Sequence, residues 1–138
     1  MNLLASLVVP IRFIAAAGLS TIVIFPVANA ATPSELLSGY VAQAGSPGVP
    51  ERGRQFFTSR HDREWSCSSC HGAIPKQNGK HAATGNPIAP LAPAFNAERF
   101  TDSTKVEKWF RRNCNDVVGR PCTAGEKADV LSWLLTLK

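Results

Sequence analysis

The chain has 138 residues, a length that suits one domain. Fifteen Lys and Arg against ten Asp and Glu give a formal charge of +5, and a 44% hydrophobic content excludes disorder as the default state. The single methionine is Met1, which excludes a thioether ligand once the N-terminus has been processed, and four cysteines stand in a short chain.

Residues 1–30 hold no Asp or Glu and only Arg12 as a basic residue. The apolar run from Phe13 to Val27 is broken by Gly18, Ser20, Thr21 and Pro26 and ends in Ala28-Asn29-Ala30. Small residues on either side of Asn29 are what a signal peptidase recognises. A retained membrane anchor is the competing reading of so apolar a span, but Pro26 and the Ala-x-Ala ending favour cleavage. The expectation is therefore a cleaved signal peptide over 1–30 and a domain over 31–138 exported to the periplasm. Thiols left unpaired do not persist in such an oxidising compartment.

Pro33-Ser34 opens a short helix with Leu36, Leu37, Tyr40 and Val41 on one face. Residues 45–50 read as a linker, and a second helix is expected from about Val49 to Arg60, carrying Gly53, Phe56 and Phe57. Residues 72–100 show little periodicity. Their Asn86-to-Pro93 stretch cannot be helical, and its prolines argue against a central strand. So long a loop in a small domain is expected to wrap something. Thr104-x-x-Glu107 has the form of a capping box, with Thr104 as N-cap of a helix reaching about Asp116. A last helix, about Ala124 to Leu137, aligns Val130, Trp133, Leu134 and Leu137. No segment alternates as a strand does, so the class expected is all-α.

Cys67-Ser68-Ser69-Cys70-His71 has the spacing of a c-type haem attachment site. Two thiols three positions apart add to the vinyl groups on one porphyrin edge, and the adjacent imidazole lies under the iron as its proximal ligand. A redox Cys-x-x-Cys belongs in a βαβ context that is missing here. A zinc site needs a second ligand pair, and Cys114 and Cys122 are too widely spaced for a knuckle. A structural disulfide leaves His71 unexplained. The expected cofactor is thus one covalently attached haem c, bound through Cys67, Cys70 and His71. The order of helices around it resembles class I cytochromes c.

With no methionine available, the second axial ligand lies among His61, His81, an oxygen or nitrogen donor, or an open position. At 100° per residue, Val106, Trp109, Phe110 and Val117 fall within about 60° of Asn113, while Asn115 points about 200° away. Asn113 thus shares a stripe with apolar residues. It either hydrogen-bonds neighbouring backbone or points into the haem pocket.

Pro87-Ile88-Ala89-Pro90-Leu91-Ala92-Pro93, Arg99-Phe100-Thr101-Asp102, Val106-Glu107-Lys108-Trp109, Arg112-Asn113-Cys114-Asn115, Gly119-Arg120, Cys122-Thr123 and Glu126-Lys127-Ala128-Asp129 resemble the sphaeroides haem protein family, oxygen-binding class I cytochromes c. The resemblance covers about residues 34–137. It implies that Asn113 binds the iron opposite His71 and that Cys114 and Cys122 form a disulfide. An amide oxygen is a hard, weak donor better suited to Fe(III) than to Fe(II). The resemblance therefore implies release of Asn113 on reduction and binding of oxygen, nitric oxide or carbon monoxide. It also implies a multihaem cytochrome c and a membrane b-type cytochrome as redox partners. The alternative is a permanent bis-histidine electron-transfer haem using His61 or His81, both in polar surroundings. Turnover of oxygen or nitric oxide ranks last, since no acid–base residue is clearly placed over the distal side, so an electron-transfer and gas-binding protein is expected rather than an enzyme. Arg111, Arg112 and Arg120, with Lys105 and Lys108, read as a solvated face, a docking patch for an acidic partner, or support for haem propionates. Export together with haem argues against nucleic acid.

Overall fold

The computed structural model describes residues 31–138, so the signal peptide expected over 1–30 and its cleavage lie outside the described residues. Five helices carry the fold: α1 (Pro33–Ala44), α2 (Pro50–Thr58), α3 (Cys67–His71), α4 (Ser103–Val117) and α5 (Ala124–Thr136). A two-residue antiparallel ladder, β1 (Gly79–Lys80) with β2 (Pro87–Ile88), and a 3₁₀ turn at Pro93–Phe95 lie between α3 and α4. The ladder was not expected from the sequence. It is short enough for Pro87 to sit at its end, where the missing N–H costs no central pairing.

Local chemistry sets the helix ends. Thr32 caps α1 reciprocally with Glu35, and Pro33 occupies the first turn. Thr123 and Glu126 close the start of α5 in the same way. The expected capping box at Thr104 is not formed. Asp102 is the N-cap of α4, its carboxylate accepting the Lys105 N–H at 2.9 Å, because the helix begins at Ser103. Glu107 is drawn away instead by partners on α1 and α5.

α5 is the axis of the core. It packs closely on α1 and α2, while α4 approaches none of the other elements so closely. Tyr40, Phe57, Phe100, Ala128, Val130, Leu131, Trp133 and Leu134 form one buried cluster. α2 reaches α5 through Gly53, where a Cβ would collide with the Asp129 carbonyl, so only glycine lets the two backbones touch. One turn further, Phe57 packs on Trp133 with ring centroids 5.0 Å apart.

A bidentate ion pair closes the same crossing. Arg52 donates to both Asp129 oxygens at 2.8 and 2.9 Å, and the Val49 N–H donates to Oδ1 at 2.6 Å. Burial pushes the Asp129 carboxyl up, but Arg52 and the Val49 N–H outweigh it and hold the group below its ordinary value. Phe100 enters α4 with a φ of 61°, a left-handed conformation that an aromatic residue adopts only when its burial holds it there.

Gly53→Ala is expected to destabilise the haem-loaded protein by about 2–3 kcal/mol in denaturant unfolding, the cost of forcing two packed backbones apart. Asp129→Asn should cost about 1–2 kcal/mol at neutral pH, the exposed Arg52 end being screened by solvent. A depressed carboxylate contributes stability above its unfolded value of about 4 and loses it as pH falls through the folded value. The stability curves of the parent and Asp129→Asn should therefore separate near neutrality and converge in acid.

Candidate haem site

Cys67, Cys70 and His71 all lie on α3, a single turn of helix begun by Ser66. The Ser66 hydroxyl accepts the Ser69 N–H at 3.2 Å and the Ser69 hydroxyl accepts the Ser66 N–H at 3.0 Å. Neither Cys67 nor Cys70 is disulfide-bonded. Burial pushes the Cys67 thiol up to about 11 and lowers the His71 imidazole to about 4, with the Arg99 charge adding to the latter. His71 is therefore neutral at physiological pH, the form that presents a lone pair to a metal. Phe57 lies against its ring at 6.1 Å. The core crossing of α2 and α5 thus fixes the position of the imidazole through one aromatic side chain.

The loop after α3 folds back on it. A Cβ on Gly79 would collide with the Cys70 carbonyl, and the Ala82 N–H lies 3.3 Å from the Cys70 sulfur. Pro75 accepts from the Leu91 and Ala92 N–H groups, both at 3.1 Å. Arg99 donates to the Pro90 and Ala89 carbonyls at 2.9 and 2.7 Å, clipping the proline-rich stretch to the segment before α4.

The two loop histidines are tied to nearby backbone. His61 lies over Phe56 at 4.4 Å with its Nε2 2.8 Å from the Phe56 carbonyl, which fixes Nε2 as the protonated nitrogen. The His81 Nδ1 accepts the Thr84 N–H at 3.2 Å. Asn113 stands exposed on α4. It is not a helix cap, because the Val118 and Gly119 N–H groups close the α4 end on the Cys114 carbonyl. The expected apolar stripe divides: Val106 and Phe110 are half-buried and Val117 is buried, while Trp109 is 43% exposed, with Arg112 over its ring at 5.7 Å.

Cys114 and Cys122 are joined by a disulfide that ties the C-terminal turn of α4 to the segment before α5. Arg120 forms a bidentate pair with Glu126 at 2.9 and 2.6 Å and is thereby removed from the free basic cluster. No group of three or more His, Cys, Asp or Glu among the described residues has the arrangement of a metal-ion site.

The donor set suits a c-type haem: two unbonded thiols and a neutral imidazole share one helical turn. The large apolar side chains left exposed, Ile74, Phe95 and Trp109, belong to the loop after α3, the 3₁₀ turn and α4. Exposed apolar surface of this kind would be available to a bound macrocycle.

Sequence comparison decides the family. The chain is 52% identical over 108 residues to cytochrome c-type protein SHP of Cereibacter sphaeroides, covering 75% of this chain and 82% of that protein. The chain belongs to the sphaeroides haem protein family. The structure of oxidized SHP, described as an oxygen-binding cytochrome c, matches with a TM-score of 0.72 and 50% identity over 76% of this chain and 96% of that one. Cytochrome c'' of Methylophilus methylotrophus is 45% identical over 80 residues, 58% of this chain and 56% of that protein. Its oxidized crystal structure matches with a TM-score of 0.67 and 35% identity over 77% of this chain and 94% of that one. Residues 43–134 also match a family described as a domain of unknown function, DUF1924. The fold is accordingly the all-α cytochrome c fold, and the sphaeroides haem protein relationship implies haem c as the cofactor.

Replacing both Cys114 and Cys122 with serine should lower the unfolding free energy by about 2.5 kcal/mol, the chain-entropy value for so small a ring. Denaturant unfolding of the haem-loaded protein measures it.

Proposed function

We propose that this chain is a periplasmic monohaem c-type cytochrome whose distal ligand, Asn113, leaves on reduction and opens the iron to a small gas. Residues 31–138 form the mature domain, and 1–30 is removed on export. Cys67 and Cys70 hold the haem by thioether bonds and His71 is its proximal ligand. Haem c, when bound, supplies a one-electron Fe(III)/Fe(II) couple and a sixth coordination position that accepts oxygen, nitric oxide or carbon monoxide.

The observation that carries this reading is the contrast between the candidate distal donors. The His81 Nδ1 lone pair is taken by the Thr84 N–H, and His61 is held against the Phe56 ring and carbonyl. Asn113 is exposed on a helix that does not use it as a cap. An amide oxygen binds Fe(III) better than Fe(II), so the residue acts as a ligand in one redox state and withdraws in the other. The disulfide beside it limits how far the helix end moves and so keeps withdrawal local. Two relatives support the reading in their own right: SHP is described as oxygen-binding, and the solution structure of cytochrome c'' is described for its haem-ligand detachment.

Lys105, Lys108, Arg111 and Arg112 project from α4 into solvent, and none belongs to an ion pair with the other described residues. Unpaired cations on the helix that carries the distal ligand favour an acidic redox partner. A multihaem cytochrome c and a membrane b-type cytochrome are the partners in this proposal.

Visible spectra of the haem-loaded protein test the reading. The oxidised form should be low-spin and six-coordinate, turn high-spin on reduction and take up carbon monoxide. Asn113→Ala should abolish the low-spin oxidised state and leave carbon monoxide uptake intact. Low-spin spectra in both redox states, indifferent to carbon monoxide, would assign the iron to a histidine and the protein to simple electron transfer.

A further inference from the structure

α4 differs from the other long helices in how it is held. α1 and α2 lie directly on α5, but α4 has no comparable backbone approach to any of them. Its attachments are side chains. At its C-terminal end it has the disulfide. In its N-terminal third, Glu107 is held from two sides: the buried Tyr40 hydroxyl of α1 donates to Oε1 at 2.6 Å, and Lys127 of α5 donates to Oε2 at 2.6 Å. The same lysine lies 5.3 Å from the Tyr40 ring and 5.7 Å from the Phe110 ring, and those two rings meet edge to face at 5.9 Å. One carboxylate thus gathers three helices.

Burial pushes the Glu107 carboxyl up, but the hydrogen bonds from Lys127 and Tyr40 outweigh it and keep the group charged. Charged hydrogen bonds are the stronger kind, and their geometry is well defined. Asn113 follows Glu107 by six residues, about 9 Å along the axis and about 120° around it. With Cys114 tethered, the remaining freedom of the helix is to roll about its own axis or tilt away from the body. The half-exposed Glu107, added to the packing of Val106 and Phe110 on the core, resists both motions and so bears on the direction in which Asn113 points.

We infer that Tyr40 and Glu107 are positioning residues for the distal ligand, holding α4 in the orientation from which Asn113 reaches the iron. This rests on the assignment of Asn113 proposed above. Neither residue touches the iron. They act through the helix, and they act on the oxidised state, in which Asn113 is bound.

Tyr40→Phe removes one hydroxyl and keeps the ring packing, and Glu107→Gln keeps the shape and removes the charge. In each, the ratio of low-spin to high-spin oxidised haem should fall about tenfold, as expected for the loss of one hydrogen bond to a charged group. Carbon monoxide affinity of the reduced form should stay unchanged. Amide hydrogen exchange in the haem-loaded protein should quicken across α4 and not across α5. Thr104→Ser, an exposed change on the same helix, should behave as the parent. In an Asn113→Ala background, Tyr40→Phe should have no further effect on the spin state. If Asn113→Ala loses the low-spin form while Tyr40→Phe and Glu107→Gln keep it, with only thermal stability lowered, the positioning role is overturned and the ligand stands. If Asn113→Ala itself stays low-spin, the ligand assignment falls, and the positioning role with it.

Discussion

The contact between Gly53 on α2 and the Asp129–Val130 backbone on α5 controls the geometry of the site. A hydrogen atom in place of a side chain lets two helices meet backbone to backbone, and this approach places Phe57 on Trp133. Phe57 is fully buried, and its other side lies against His71. The position of the imidazole is therefore inherited from a helix crossing that contains no part of the haem motif. Arg52 and Asp129 fix the angle of that crossing, and Val49 ties the start of α2 to the same carboxylate. The proximal side of the site is rigid because it is an extension of the core.

α4, which carries the proposed distal ligand, is built on the opposite principle. It is amphipathic and long, and besides the stripe of Val106, Phe110, Cys114 and Val117 it is attached by a disulfide, a carboxylate and aromatic edges, without the close backbone approach that joins α1 and α2 to α5. Its entry at Phe100 holds a left-handed backbone. Contacts of this kind are few and separable, so local rearrangements there cost less than motions of α5. The redox-dependent ligation proposed above would draw on this contrast between the firmly held His71 and the less closely packed α4.

The features legible in the sequence were local ones. Cys67, Cys70 and His71 share one turn, so their spacing alone was enough to suggest the chemistry. The caps at Thr32 and Thr123, with glutamate three positions on, are also complete within four residues, although the expectation named only Thr104. Thr104 and Glu107 carry the same signature, but Glu107 is bound by a tyrosine 67 positions away, a partner that no local pattern shows. Asp102, two residues earlier, takes over the cap. The face of α4 was read correctly as a periodicity and incompletely as a burial pattern, since Trp109 and Asn113 lie in the stripe but not in the protein core. The short β1–β2 ladder escaped notice because two residues per strand are too few to alternate. The sphaeroides haem protein resemblance, carried by dense matches from Pro87 onward, supplied what periodicity did not.

The core joins the two ends of the described chain. Tyr40 and Phe57, from the first two helices, find their buried neighbours among residues 128–134 of the last. A polypeptide still lacking α5 has no partner for these aromatic side chains, and closing so long a loop brings no reward until both ends are present. The segment with Cys67 and Cys70 is made well before that point. A chain whose last helix has not yet joined the core would leave Cys67 and Cys70 reachable, and the proposed thioether bonds would be made in that interval.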